Sequence, residues 1–119
     1  MQIKSYKDLI VWQKSIELVV MVYEITSKFP KEEKYGLSSQ MRRAAVSIPS
    51  NIAEGFSRNS RKDYAHFICI SYGSAAELET QIEIAKKLPI TRHLDFSQLE
   101  DLLLEIIKML NSLKASLRN

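Results

Sequence analysis

Residues 42–55, "RRAAVSIPSNIAEG", decide how this chain is read. Pro49 stands inside a segment that otherwise looks helical, and Ser47 and Asn51 occupy positions where a surface helix usually carries Lys or Glu. A proline has no N–H and crowds the carbonyl four residues back, which costs about 3 kcal/mol in a straight helix interior. The helix must either end there or bend and continue. Ile48 and Ile52 keep the spacing set by Leu37, Met41 and Ala44, so the apolar face runs straight through the proline. The reading is therefore one helix over about 37–56, kinked at Pro49, with Gly55 as a left-handed cap near its end.

The same punctuation divides the rest of the chain. Ser5 with Asp8 resembles a capping box and opens a helix over about 6–28, which must stop before Pro30. Ser60 with Asp63 opens a third helix over 61–88, ahead of Pro89, and Asp95 with Gln98 opens a fourth over about 96–117. No run shows the alternation of a half-buried strand. Leu99, Leu103, Ile106, Leu110, Leu113 and Leu117 alternate spacings of four and three, as do Tyr64, Ile68, Ser71, Ala75, Leu78, Ile82 and Ala85. That period makes the seam of knobs-into-holes packing. Short links between long helices make neighbours antiparallel, so the expected fold is all-α, a single up-down-up-down four-helix bundle over residues 1–119. With 45% apolar residues, it can bury a core that needs no metal or cofactor.

Beside the apolar seam, Gln40, Arg43, Ser47, Asn51 and Glu54 form a continuous polar stripe on the second helix. Counting outward from the turn near Arg58 sets Arg43 level with Ser74 and within one turn of Glu77. An Arg43–Glu77 ion pair that fixes helix register is expected there. Two further features point outward. Leu18–Val22 and the segment from Leu102 to Ile107 are apolar around most of the helix, so Val20, Val22, Leu102, Leu104 and Ile107 are expected at a subunit interface. The net charge of +3 is unevenly spread: residues 40–62 hold Arg42, Arg43, Arg58, Arg61 and Lys62 against Glu54 alone. Arg42, Arg58, Arg61 and Lys62 are accordingly candidates for contact with a polyanion.

Signals of enzymes are thin. Asp63 and His66 give half of a bundle di-metal motif, and His93, with Ile90 three residues before it, gives no second half. Arg61 and His66 have the R-x4-H spacing of some metal-independent ribonucleases, a remote alternative in which Arg61 holds a phosphate and His66 moves a proton. No glycine-rich phosphate loop or cysteine–histidine cluster is present. Cys69, between Ile68 and Ile70, reads as a small buried hydrophobe in a reducing compartment. With no secretory leader and no apolar run near the ~20 residues that span a bilayer, the expected location is the cytoplasm.

The stretches "DLIVWQKS", "FPKEEKYGLSSQMRRAAVSIPSNIAEG" and "SYGSAAELETQIEIA" together resemble the four-helix-bundle family encoded in intervening sequences of bacterial 23S ribosomal RNA genes. The resemblance implies a subunit of a ring, typically a homopentamer. It also implies kinship with the accessory variability determinant of diversity-generating retroelements, a basic pentamer that binds nucleic acid and a reverse transcriptase. The expected function is a non-enzymatic ring that scaffolds RNA, DNA or a nucleic-acid enzyme. The alternative is a purely structural protein–protein module.

Overall fold

A computed structural model describes residues 2–33 and 36–118, and the regular elements among them are all helical. The four long helices are α1 (Ile10–Thr26), α2 (Leu37–Phe56), α3 (Arg61–Lys87) and α4 (Ser97–Ser116). Two single 3-10 turns, Tyr6–Asp8 and Lys31–Glu33, precede α1 and α2. Helix α2 runs unbroken through Pro49, whose ring is buried, because Met41, Ala44, Ile48 and Ile52 on the same face are all anchored in the core.

Among the described residues each helix touches its two neighbours, α1 against α2 and α4, and α3 against α2 and α4, and no diagonal pair of helices is in contact. Cross-helix bonds give the directions. The Ser47 and Ser74 hydroxyls lie 2.8 Å apart and the Ser71 hydroxyl donates to the Ile48 carbonyl at 2.9 Å, so numbers rise along α2 as they fall along α3. Lys14 reaches Glu105 and Lys86 reaches Glu100, both at 2.9 Å, which close the square through α4. The heptad residues Leu99, Leu103, Ile106 and Leu110 of α4 and Ile68, Ala75, Leu78, Ile82 and Ala85 of α3 form the core. Phe29 and Phe96, edge to face at 6.4 Å, close the end away from the chain termini. The result is a rod of 46 × 24 × 19 Å.

Several local expectations need correction. The Ser5 and Asp8 capping box forms, with Ser5 Oγ accepting from the Lys7 N–H and Asp8 accepting from the Ser5 N–H, but it caps a 3-10 turn. Leu9 then turns extended (φ −73°, ψ 125°), and α1 starts one residue later. Gly55 is not a left-handed cap. Its φ is negative and it lies within α2, where an added Cβ would sit 2.8 Å from Phe67 Cβ; the glycine lets α2 and α3 approach closely. Asp95 holds the Ser97 N–H and hydroxyl, and the helix starts at Ser97. Cys69 is exposed, because Ile68 and Ser71 take the core-facing positions and leave it turned about 100° away. Val22 is fully buried and cannot be an outer contact, whereas Val20, 52% exposed, and Leu104, 49% exposed, do face outward. Leu102 and Ile107 are half-buried against the core.

Candidate nucleic-acid interface

An up-down bundle brings three stretches distant in sequence to one end: the start of α1, the α2–α3 turn and the end of α4. The structure ties them together. The Arg61 guanidinium donates to the Ser116 carbonyl at 3.2 Å, and Lys114 Nζ lies 4.2 Å from the Tyr72 ring centre. Tyr6 meets Trp12 edge to face at 5.3 Å and lines a groove with Pro49 and Ala53. That half of the rod carries Lys4, Lys7, Lys14, Arg58, Arg61, Lys62, Lys108, Lys114 and Arg118 against Asp8, Glu17, Glu54, Asp63 and Glu105, the last paired with Lys14 at 2.9 Å. The opposite half carries nine acids, among them Glu77, Glu79, Glu83, Asp95, Glu100 and Asp101, against Lys28, Lys31, Arg42, Arg43, Lys86, Lys87 and Arg92 among the described residues. The molecule is therefore electrically polar along its length, which a count along the chain does not show.

Within the basic end the cations differ in freedom. Arg58 pairs with Glu54 at 3.0 Å and lies over the Phe67 ring at 4.9 Å, both side chains remaining about half exposed. Arg61 leans on the α4 terminus, where a cation meets the negative end of the helix dipole. Lys62 is exposed and makes no side-chain hydrogen bond or ion pair among the described residues. Lys14 is held protonated above the usual lysine range by its hydrogen bond to Glu105.

Arg42 lies elsewhere. Its Nε donates to Thr26 Oγ1 at 2.8 Å, its Nη2 reaches the Tyr23 carbonyl at 3.4 Å and its guanidinium covers the Tyr23 ring at 4.5 Å. It caps the end of α1 and sits below the basic end. The polar stripe contracts to three residues: Ser47 meets Ser74, and the Asn51 amide donates to both the carbonyl and the hydroxyl of Ser47. The expected Arg43–Glu77 ion pair does not form among the described residues: the Ser47–Ser74 and Ser71–Ile48 bonds set the two level, but both side chains are exposed at the surface and do not meet. Gln40, Arg43, Glu54 and Glu77 are exposed at the rim.

The catalytic alternatives meet an unpromising geometry. Arg61 and His66 lie five residues apart on α3, about 140° around the helix, and His66 packs edge-on against Phe67 at 5.4 Å. Among the described residues no group of three or more His, Cys, Asp or Glu side chains is close enough to hold a metal, and no helix is long and apolar enough to cross a membrane. The contribution of Lys4, Lys7, Lys14, Lys108, Lys114 and Arg118 escaped the segment-wise charge count. The signal that finds them is topological: in a bundle of alternating helices the first N-terminus and the last C-terminus lie beside the middle turn.

Comparison with known proteins sharpens this picture. Residues 7–112 match the family model described as 23S rRNA-intervening sequence protein. A crystal structure of a protein of unknown function from the S23 ribosomal protein family of Bacteroides thetaiotaomicron VPI-5482 superposes with a TM-score of 0.73 at 27% identity, covering 88% of this chain and 98% of that one. No curated protein matches the chain.

Proposed function

The chain belongs to the 23S rRNA-intervening sequence protein family, and on that premise we propose that it is a non-enzymatic, self-assembling bundle whose basic end holds nucleic acid or a ribonucleoprotein in the cytoplasm. The observation that carries the reading is the gathering of nine cations against five carboxylates in one half of the rod, from segments at both chain termini and the central turn. The family resemblance supports a pentameric ring, in which a weak single-subunit affinity is multiplied by avidity. Exposed Lys and Arg bind phosphates by releasing counterions, so the affinity is electrostatic, steeply salt-dependent and nearly indifferent to sequence.

The test is a filter-binding titration of single-stranded RNA and duplex DNA at several salt concentrations, with the Arg58→Ala/Arg61→Ala/Lys62→Ala triple variant alongside. The triple variant should lose most of the affinity, and its log–log salt slope on duplex DNA should flatten by about 2.7 per bound subunit, three contacts at ~0.9 each. Equal binding by the triple variant, or none by the wild type at low salt, would favour the structural protein–protein module. The exposed apolar side chains Ile16, Val20, Val46 and Leu104 favour that second reading.

A further inference from the structure

We propose that the groove between α1 and α2 takes an unpaired base of single-stranded nucleic acid, stacked on Trp12. The proposal rests on the nucleic-acid reading above and names the form of nucleic acid that the basic end prefers.

The groove has a volume of about 300 Å³, its lining includes Tyr6, Trp12, Ile16, Val46, Pro49 and Ser50, and none of its lining residues is charged. Trp12 stands in the first turn of α1 and Pro49 and Ser50 in the second half of α2, so the groove lies in the basic half of the rod. Trp12 packs against the core, and Tyr6 meets it edge to face at 5.3 Å, which together fix the indole while leaving it partly exposed. Three other aromatic rings are already covered by cations: Tyr23 by Arg42, Phe67 by Arg58 and Tyr72 by Lys114. No cation covers Trp12 among the described residues. Its indole N–H has no hydrogen-bond partner among them either, and it reaches solvent, since Gln81 Oε1 is the one buried side-chain polar atom there without a partner. The exposed Ser50 hydroxyl makes no side-chain hydrogen bond among the described residues and can donate to or accept from any base edge.

An apolar slot with an aromatic wall and two unused polar groups suits a flat ring with polar edges. Stacking on an aromatic side chain tolerates every base, because every base has a π-face. A duplex base is stacked on both sides and paired at its edge, so it must first leave the helix to enter. The backbone of a strand seated there meets cations at the rim. The turn that carries Tyr6 also carries Lys7, with Lys4 just before it, and both are exposed and form no ion pair among the described residues. The nearest acid in sequence, Asp8, is occupied by the Lys4 and Ser5 backbone N–H groups and lines a different groove, beside α4. Arg58 is committed to Glu54 and contributes less to this rim. Lysines and arginines thus supply the salt-dependent part of the affinity, and Trp12 a part that salt does not screen.

Trp12 is the only tryptophan of the chain, so its fluorescence reports this groove alone. The full chain is titrated at low salt with oligo(U), oligo(dT) and a duplex of equal length. Both single strands should quench Trp12, the tighter of the two identifying RNA or DNA as the strand that fits, and the duplex should bind without quenching. Trp12→Leu should weaken single-strand binding about tenfold, the contribution of one stacked base. It should leave duplex binding and the salt slope unchanged, since no phosphate contact is lost, and Trp12→Phe should recover most of the loss. Ser50→Leu fills the groove at an exposed position without changing charge or weakening the helix. It should give the same selective loss, which keeps the test valid if circular dichroism shows Trp12→Leu misfolded. Acrylamide should quench Trp12 in the free protein. A shielded Trp12 there, meaning that another protein chain covers the groove, overturns the proposal. So does an unchanged Trp12 signal at saturating single strand, or an equal loss of single-strand and duplex affinity in Ser50→Leu. Binding of both forms with no Trp12 signal leaves the nucleic-acid function standing without this site, whereas binding of neither form at low salt overturns both.

Discussion

Two glycines inside helices make a sharp comparison. Replacing glycine by alanine in an exposed helix interior stabilises by up to about 1 kcal/mol, because the flexible unfolded backbone is restricted. Gly73 of α3 fits that case: an added Cβ meets nothing within 4 Å. Gly55 of α2 does not. There the new methyl would lie 2.8 Å from Phe67 Cβ, 3.1 Å from Tyr64 Cδ1 and 3.2 Å from the Tyr64 carbonyl oxygen. Comfortable carbon–carbon contact begins near ~3.5 Å. A Cβ and a backbone carbonyl cannot swing aside, so relief requires α2 and α3 to part along their closest contact. Overpacking costs about 1–3 kcal/mol, and rigid neighbours place this site at the upper end, about 3. After the propensity gain, Gly55→Ala should destabilise by about 2 kcal/mol and Gly73→Ala should stabilise by about 1. For a domain of this size each kcal/mol moves the midpoint by about 4 °C, giving a fall of about 8 °C and a rise of about 4 °C. Thermal unfolding followed by circular dichroism, at one fixed protein concentration because self-association would couple to stability, reads both. A Gly55→Ala protein as stable as the wild type would refute the close-approach account of Gly55.

Arg42→Ala removes the Thr26 hydrogen bond and the stacking on Tyr23, for a loss of about 1–2 kcal/mol in urea unfolding; Arg42→Lys should recover less than half, since an ammonium cannot reproduce the planar contact. The Tyr64 phenol, half-buried edge-on to Phe56 at 5.9 Å, is pushed above its ordinary pKa by burial. Its folded pKa exceeds the unfolded one, so its contribution is fully present below ~pH 10 and is lost as pH rises through the folded value. Between ~pH 8 and ~pH 11 the urea midpoint of the wild type should therefore fall further than that of Tyr64→Phe, and equal falls would refute the burial argument.

Much of this fold is legible along the chain because helix periodicity and punctuation are local. The apolar residues spaced by three and four in α2, α3 and α4 are those that the core contains, since one helix face is set by 3.6 residues per turn whatever packs against it. Prolines and side-chain caps mark the ends for the same reason, as the Ser60 hydroxyl does by accepting from the Asp63 N–H at 3.0 Å. Membership of the family was legible too, in the residues around Pro49.

Distances between helices were not legible, because they depend on side chains that meet only after packing. The packed register sets Ser47 against Ser74 and leaves Arg43 and Glu77 level but both at the surface, without an ion pair between them. Composition placed Cys69 among hydrophobes, but the face that α3 turns inward exposes it. Gly55 looked like a helix terminus until α3 was seen against it, and Arg42 looked free until the end of α1 came within reach. The basic end shows the same division. Sequence located one cluster of positive charge at residues 40–62, and the alternation of four helices removed Arg42 from it and added the cations of both chain termini, because electrostatic potential sums over space and not over residue number.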